Sequence, residues 1–161
     1  LFRSGLRFDF GSLTNTLAGL TAYATYTFTD AIYQQGAFAG RDLPFYSRHV
    51  ATLGMRYVRN RWAFNVDGFA QSKQRSPGNP AQSTVYQTQE SSDGALGDIP
   101  GYALMNVRVG YDFGKTAQNL KLVLGFKNVF DRRYYTRSND NNLGMYVGMP
   151  RTVYLQASLA Y

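Results

Sequence analysis

Along most of the chain, apolar and polar residues alternate with a period of two, the signature of strands with one face unlike the other. Val153, Leu155, Ala157, Leu159 and Tyr161 fall on one side of the last segment, and Thr152, Tyr154, Gln156, Ser158 and Ala160 on the other. The same division runs through Leu120–Lys127, Tyr102–Phe113, Trp62–Gln71, Ala51–Tyr57, Leu20–Thr29 and Leu6–Phe10. These segments predict seven strands, rich in Thr, Val, Tyr and Phe, with almost no helical periodicity between them. Most are about ten residues long, and a tilted strand needs about 9–11 residues to cross a bilayer.

Two surroundings suit such strands: water outside a soluble sandwich, or hydrocarbon outside a membrane barrel. The cations discriminate. Arg7, Arg56, Arg108, Lys121 and Lys127 all lie on the mixed face and none interrupts the apolar one. An Arg or Lys turned toward mid-bilayer lipid costs about 2–4 kcal/mol, whereas a wet lumen accepts it. A sandwich core would exclude them too, so the connections carry more weight. Gly11–Asn15, Val58–Arg61 and Gly114–Asn119 are short links; Ala31–Ser47, Gln74–Gly101 and Arg133–Pro150 are long and polar. Short and long alternate strictly, as the turns and loops of outer-membrane barrels do. Phe8, Phe10, Tyr57, Trp62, Tyr111, Phe113 and Tyr161 collect beside the short links or at the terminus, as an aromatic girdle at one membrane interface requires. The reading is an all-β, antiparallel transmembrane β-barrel. Seven strands do not close a bacterial barrel of even strand number, so the chain reads as an excised arc of a larger one.

Composition narrows the function. Seventeen Lys+Arg against ten Asp+Glu give a net charge of +7 over 161 residues, but the basic residues are scattered singly, which argues against nucleic-acid binding. The absence of cysteine excludes disulfides and thiolate metal sites, and His49 is the lone histidine. No nucleophile–base pair or carboxylate dyad stands at a recognisable spacing, so the chain is not read as an enzyme, and neither a catalytic nor a metal site is assigned.

Several motifs follow one another in order. Asn128-Val129-Phe130-Asp131-Arg132-Arg133-Tyr134-Tyr135 precedes Gly148-Met149-Pro150-Arg151-Thr152, and the chain closes on an alternating strand ending in Tyr161. Upstream stand Ile99-Pro100-Gly101-Tyr102 and Leu43-Pro44-Phe45-Tyr46-Ser47-Arg48-His49. Taken in this order the set resembles the C-terminal barrel region of TonB-dependent outer-membrane receptors, although the second proline of that family's L-P-x-x-P-R-H segment is missing. The resemblance implies that residues 1–161 are the C-terminal part of a barrel of about 22 strands with a plugged lumen. It implies TonB-energised import of a ferric siderophore across the Gram-negative outer membrane, with lipid and lipopolysaccharide around the wall. Long loops would be extracellular and the C-terminus periplasmic. The plug and the TonB-contacting motif are not among these residues, and no cofactor is implied beyond the transported ferric chelate.

Within the last long loop, Tyr135–Gly144 is similar to the ferric-citrate branch. The resemblance makes Arg137, Asn139, Asn141 and Asn142 candidate ligand contacts: a guanidinium fork suits carboxylate oxygens, and amides donate to a polyanionic chelate. Asn/Asp/Ser clusters before Gly are also ordinary turn chemistry, and both readings stand. Arg151 reads as a strand anchor through lumen ion pairs, and Pro44 and His49 as loop-to-strand punctuation. Arg56, Arg108, Lys121 and Lys127 are expected to pair with carboxylates such as Asp67 and Asp112, or with a plug. A small autonomous outer-membrane barrel acting as an anchor or adhesin is the alternative function.

Overall fold

The computed structural model describes residues 1–36, 39–76, 97–117, 119–138 and 145–159. Seven strands form one antiparallel sheet: β1 (Phe2–Asp9), β2 (Leu20–Phe28), β3 (His49–Arg59), β4 (Trp62–Gln71), β7 (Tyr102–Asp112), β8 (Lys121–Lys127) and β11 (Thr152–Ser158). They pair in chain order, as an up-and-down wall does. The seven expected strands are therefore present. Four short strands were not expected. β5 (Gln74–Arg75) pairs with β6 (Asp98–Ile99), and β9 (Tyr135–Ser138) with β10 (Met145–Val147). Both pairs lie inside segments read as long loops, where no alternation announces them.

Register turns the alternation into two surfaces. One row crosses the whole sheet as Phe8, Ala22, Met55, Val66, Val107, Phe126 and Val153. The neighbouring row, one residue along, is Asp9, Thr21, Arg56, Asn65, Arg108, Gly125 and Tyr154. Among the described residues no second protein layer covers the apolar row: Leu53 in interior strand β3 is 63% exposed, and Met55, Phe64 and Leu124 are also exposed. A soluble sandwich would bury that face against another sheet. Among the described residues Ile99 is the sole buried hydrophobic side chain, and it lies in a loop strand.

Two glycines on the polar face carry tyrosines from the adjoining strand. Gly54 faces Tyr23 and Gly125 faces Tyr154; a Cβ on either glycine would fall within about 2.5 Å of the ring. Flat Tyr-over-Gly packing adds aromatic area to positions that would otherwise weaken a strand.

The short-turn end is built tightly. Asn60 closes the β3–β4 hairpin with φ 54, a left-handed conformation that asparagine tolerates. The β1–β2 link is longer than expected, since Phe10 leaves the strand and Phe10–Ser12 and Asn15–Leu17 form short helical turns. Trp62 packs on Tyr111 with ring centroids 4.7 Å apart, Tyr111 on Phe113 at 4.8 Å, and Phe8 on Phe10 at 4.9 Å. The aromatic residues expected beside the short links thus pack on one another there; Tyr161 lies outside the described residues.

Candidate ligand-capture site at the long-loop end

The polar face holds a network of paired charges. Arg108 lies 3.3 Å from Asp67, whose other oxygen accepts from the Asn106 amide at 2.7 Å. Lys121 reaches Asp112 at 3.1 Å, so both expected carboxylates are used. Lys127 sits over the Tyr154 ring, 5.6 Å from its centroid. Asp67, Asn106, Arg108, Lys127 and Tyr154 line a hollow of about 160 Å³ in the wall. Such exposed pairs contribute about 0–1 kcal/mol each; their larger effect is to keep this face wet.

At the other end, the three long connections are stitched together. The segment between β2 and β3 meets β5 through the Pro44–Arg75 and Ser47–Gln74 bridges, and the Phe45 N–H donates to the Arg75 carbonyl at 2.8 Å. From β5, the Gln74 amide donates to the Thr136 carbonyl of β9 at 2.8 Å, and the Ser76 and Ser138 hydroxyls share a buried hydrogen bond of 3.0 Å. Arg137 therefore stands between two anchored residues. Its guanidinium carbon lies 4.4 Å from the centroid of the Phe45 ring, and its Nε donates to the Ser138 carbonyl at 3.3 Å.

The cations here are largely matched. Arg48 contacts Asp42 at 2.6 Å and Asp30 at 3.5 Å. Lys73 and Arg75 both pair with Asp98. Burial pushes the Asp98 carboxyl up, but the hydrogen bonds and charges of Lys73 and Arg75 outweigh it and hold the group below the usual carboxylate range. A hollow of about 210 Å³ opens among Asp42, Arg48, Lys73, Arg75 and Asp98.

The Asn128–Tyr135 motif has a structural explanation. Asn128 is 3% exposed with φ 49, and its amide donates to the Arg132 and Met149 carbonyls at 2.9 and 3.1 Å. Its side-chain oxygen accepts from the Arg132 N–H at 2.8 Å, and its own N–H donates to Asn106 at 3.1 Å. Asp131, at φ 53, accepts from the Arg151 N–H at 2.9 Å. The motif thus clasps both feet of the last loop to the sheet rim. Arg151 is held there by its backbone, and among the described residues its side chain makes no ion pair. Pro44 and His49 do mark the return to a strand, with the Tyr26 hydroxyl 2.7 Å from His49 Nδ1.

Of the residues expected to touch ligand, Arg137 lies where the three loops converge. Asn139, Asn141 and Asn142 lie outside the described residues. Phe45 was not foreseen as part of this cluster. Inside an aperiodic loop its sequence carries no signal of partnership with a residue ninety-two positions away.

Comparison with known proteins agrees with this geometry. The profile of the TonB dependent receptor-like β-barrel family matches residues 4–129. The ferric-pyoverdine M114 receptor PbuA of Pseudomonas sp. (strain M114) is 29% identical over 137 residues, covering 82% of this chain and 15% of its own length. The metal-pseudopaline receptor CntO of Pseudomonas aeruginosa is 28% identical over 94% of this chain and 19% of its own. The ferric citrate transporter FecA, in its unliganded crystal form, superposes with a TM-score of 0.83 at 40% identity, over 96% of this chain and 23% of that one. The ferric-catecholate import receptor Fiu of E. coli K12 shares the fold, with a TM-score of 0.69 at 20% identity. These relatives are receptors and transporters, and the chain spans less than a quarter of their length. With its wall, its loop arrangement and the profile in accord, the chain belongs to the TonB-dependent receptor β-barrel family.

Proposed function

We propose that this chain is the C-terminal wall segment of an outer-membrane receptor of about 22 strands that imports a ferric chelate of the ferric citrate class. The observation that carries the reading is the 40% identity to the ferric citrate transporter across 96% of the chain. The open apolar face supports a lipid- and lipopolysaccharide-facing exterior. Edge strands β1 and β11 have no further partners in the described sheet, and unpaired backbone facing hydrocarbon is so unfavourable that further strands should complete the barrel. Energy would come from TonB through a region outside these 161 residues, where the plug would also lie.

Mechanistically the wall contributes no covalent chemistry. Its apolar side seals against lipid and its charged side keeps the passage hydrated. The long loops, taken as extracellular, would meet the chelate, with Arg137 donating in-plane N–H groups to citrate carboxylates. Asn139, Asn141 and Asn142 are proposed as further amide donors to the same anion.

The test uses the complete receptor in cells. Iron supplied as radiolabelled ferric citrate should be taken up in a TonB-dependent manner, and Arg137→Ala should weaken binding about tenfold or more, the loss expected for a charge-assisted hydrogen bond. Wild-type cells that ignore ferric citrate would sink the substrate assignment. Orientation is checked with single cysteines, which these 161 residues lack. Gln35→Cys should react with an impermeant maleimide on intact cells, and Lys115→Cys only after the outer membrane is opened.

A further inference from the structure

Phe45 combines two features that ordinary loop packing does not require. It holds φ 62, an outlying conformation for a bulky side chain, and its ring lies beneath the Arg137 guanidinium at 4.4 Å. Backbone strain of this kind persists where surroundings over-determine it. Here the Phe45 N–H is bonded to the Arg75 carbonyl, and the flanking Pro44 and Ser47 bridge to Arg75 and Gln74. The same segment, Gln74–Ser76, holds the two neighbours of Arg137, through Gln74 to Thr136 and Ser76 to Ser138. One segment thus braces the backbone beneath both ring and guanidinium.

Stacking engages the face of a guanidinium, while carboxylates bind along its in-plane edge. An aromatic floor can therefore fix the plane of the fork without competing for the anion. Fixing it before binding reduces the side-chain entropy lost on capture.

We propose that Phe45 is a positioning residue for carboxylate capture by Arg137, held in its left-handed conformation so that its ring orients the guanidinium toward the ligand. The proposal rests on the reading of Arg137 as a ligand contact, and the experiment separates the two. In the complete receptor, ferric citrate binding and uptake at saturating ligand are measured for Phe45→Leu, Phe45→Trp, Phe45→Gly, Arg137→Ala and Phe45→Leu/Arg137→Ala. Folded receptor is quantified by heat-modifiable mobility. Loss of the cation–π contact should raise Kd about two- to fivefold in Phe45→Leu, with uptake at saturation unchanged. Phe45→Trp should bind as wild type does. Phe45→Gly relieves the backbone strain yet removes the ring, so it should fold as well as wild type and still bind weakly. On the Arg137→Ala background, Phe45→Leu should add nothing. Wild-type affinity in Phe45→Leu, equal weakening in Phe45→Trp, or additive losses in the double variant would overturn the positioning role while leaving Arg137 as a contact. Unchanged binding in Arg137→Ala would overturn both.

Discussion

In the seven-stranded wall the large apolar side chains stand uncovered on one face, with Leu53 63% exposed on interior strand β3, while the polar side chains line the other face. In the loop cluster above it, the apolar Ile99 is fully buried, and its neighbours Ser76 and Ser138 are buried with their hydroxyls bonded to each other. The wall leaves its apolar side chains uncovered by protein, while the cluster encloses its buried hydrophobic side chain and pairs its polar groups. On the proposed reading that this face meets lipid, its apolar area gains no stabilisation by leaving water, and the wall would depend on its backbone ladders and on excluding charge from one face. The loops must instead satisfy polar groups one at a time, through Gln74, Asn128 and Asp131.

The sharpest way to break this contrast is to exchange surfaces within two adjacent residues. Val66→Arg places a cation on the apolar row near the middle of β4 and should cost about 2–4 kcal/mol, seen as loss of folded barrel in the outer membrane. Asn65→Arg, one position away on the polar row, should leave that yield nearly unchanged. Equal effects would mean that the outward face is not in lipid.

Next in size is the clasp between the two regions. Asn128→Ala removes the partner of the Arg132 N–H and of the Arg132 and Met149 carbonyls and places alanine at a positive φ, so about 1–3 kcal/mol of local stability should disappear. Proteolysis within 128–151 should accelerate while the wall stays folded. Within the wall, Gly125→Ala drives a Cβ into the Tyr154 ring and should cost about 1–3 kcal/mol by overpacking, with recovery in Gly125→Ala/Tyr154→Leu, read from the urea midpoint of the refolded receptor.

The smallest effect belongs to Asp98. Its folded-state carboxyl titrates below the unfolded value of about 3.9. Its pairing with Lys73 and Arg75 therefore contributes fully above that pH and is lost as pH falls through the lower folded value. Amide exchange in β5 and β6 should speed up only in strongly acidic buffer, by the equivalent of about 1 kcal/mol or less. Asp98→Asn should remove that acid dependence.

Much of the wall was legible in the residues themselves. Strand alternation has an invariant period of two, so the pattern of Phe8, Met55, Val66 and Phe126 against Asp9, Arg56, Asn65 and Lys127 identifies the faces without knowledge of partners. The alternating loop lengths likewise placed Tyr57, Trp62 and Tyr111 at one level. The short ladders β5–β6 and β9–β10 escaped because two to four residues are too few for a period to emerge.

The resemblance of Tyr135–Gly144 to the ferric-citrate branch singled out Arg137, whose guanidinium is charged and forked wherever it stands. Its placement over Phe45 depends on bonds spanning about sixty residues of chain, from Gln74 to Thr136 and Ser76 to Ser138. Nearest-neighbour preferences carry no record of such bonds. Only the folded arrangement of three separate connections brings that ring and that cation together.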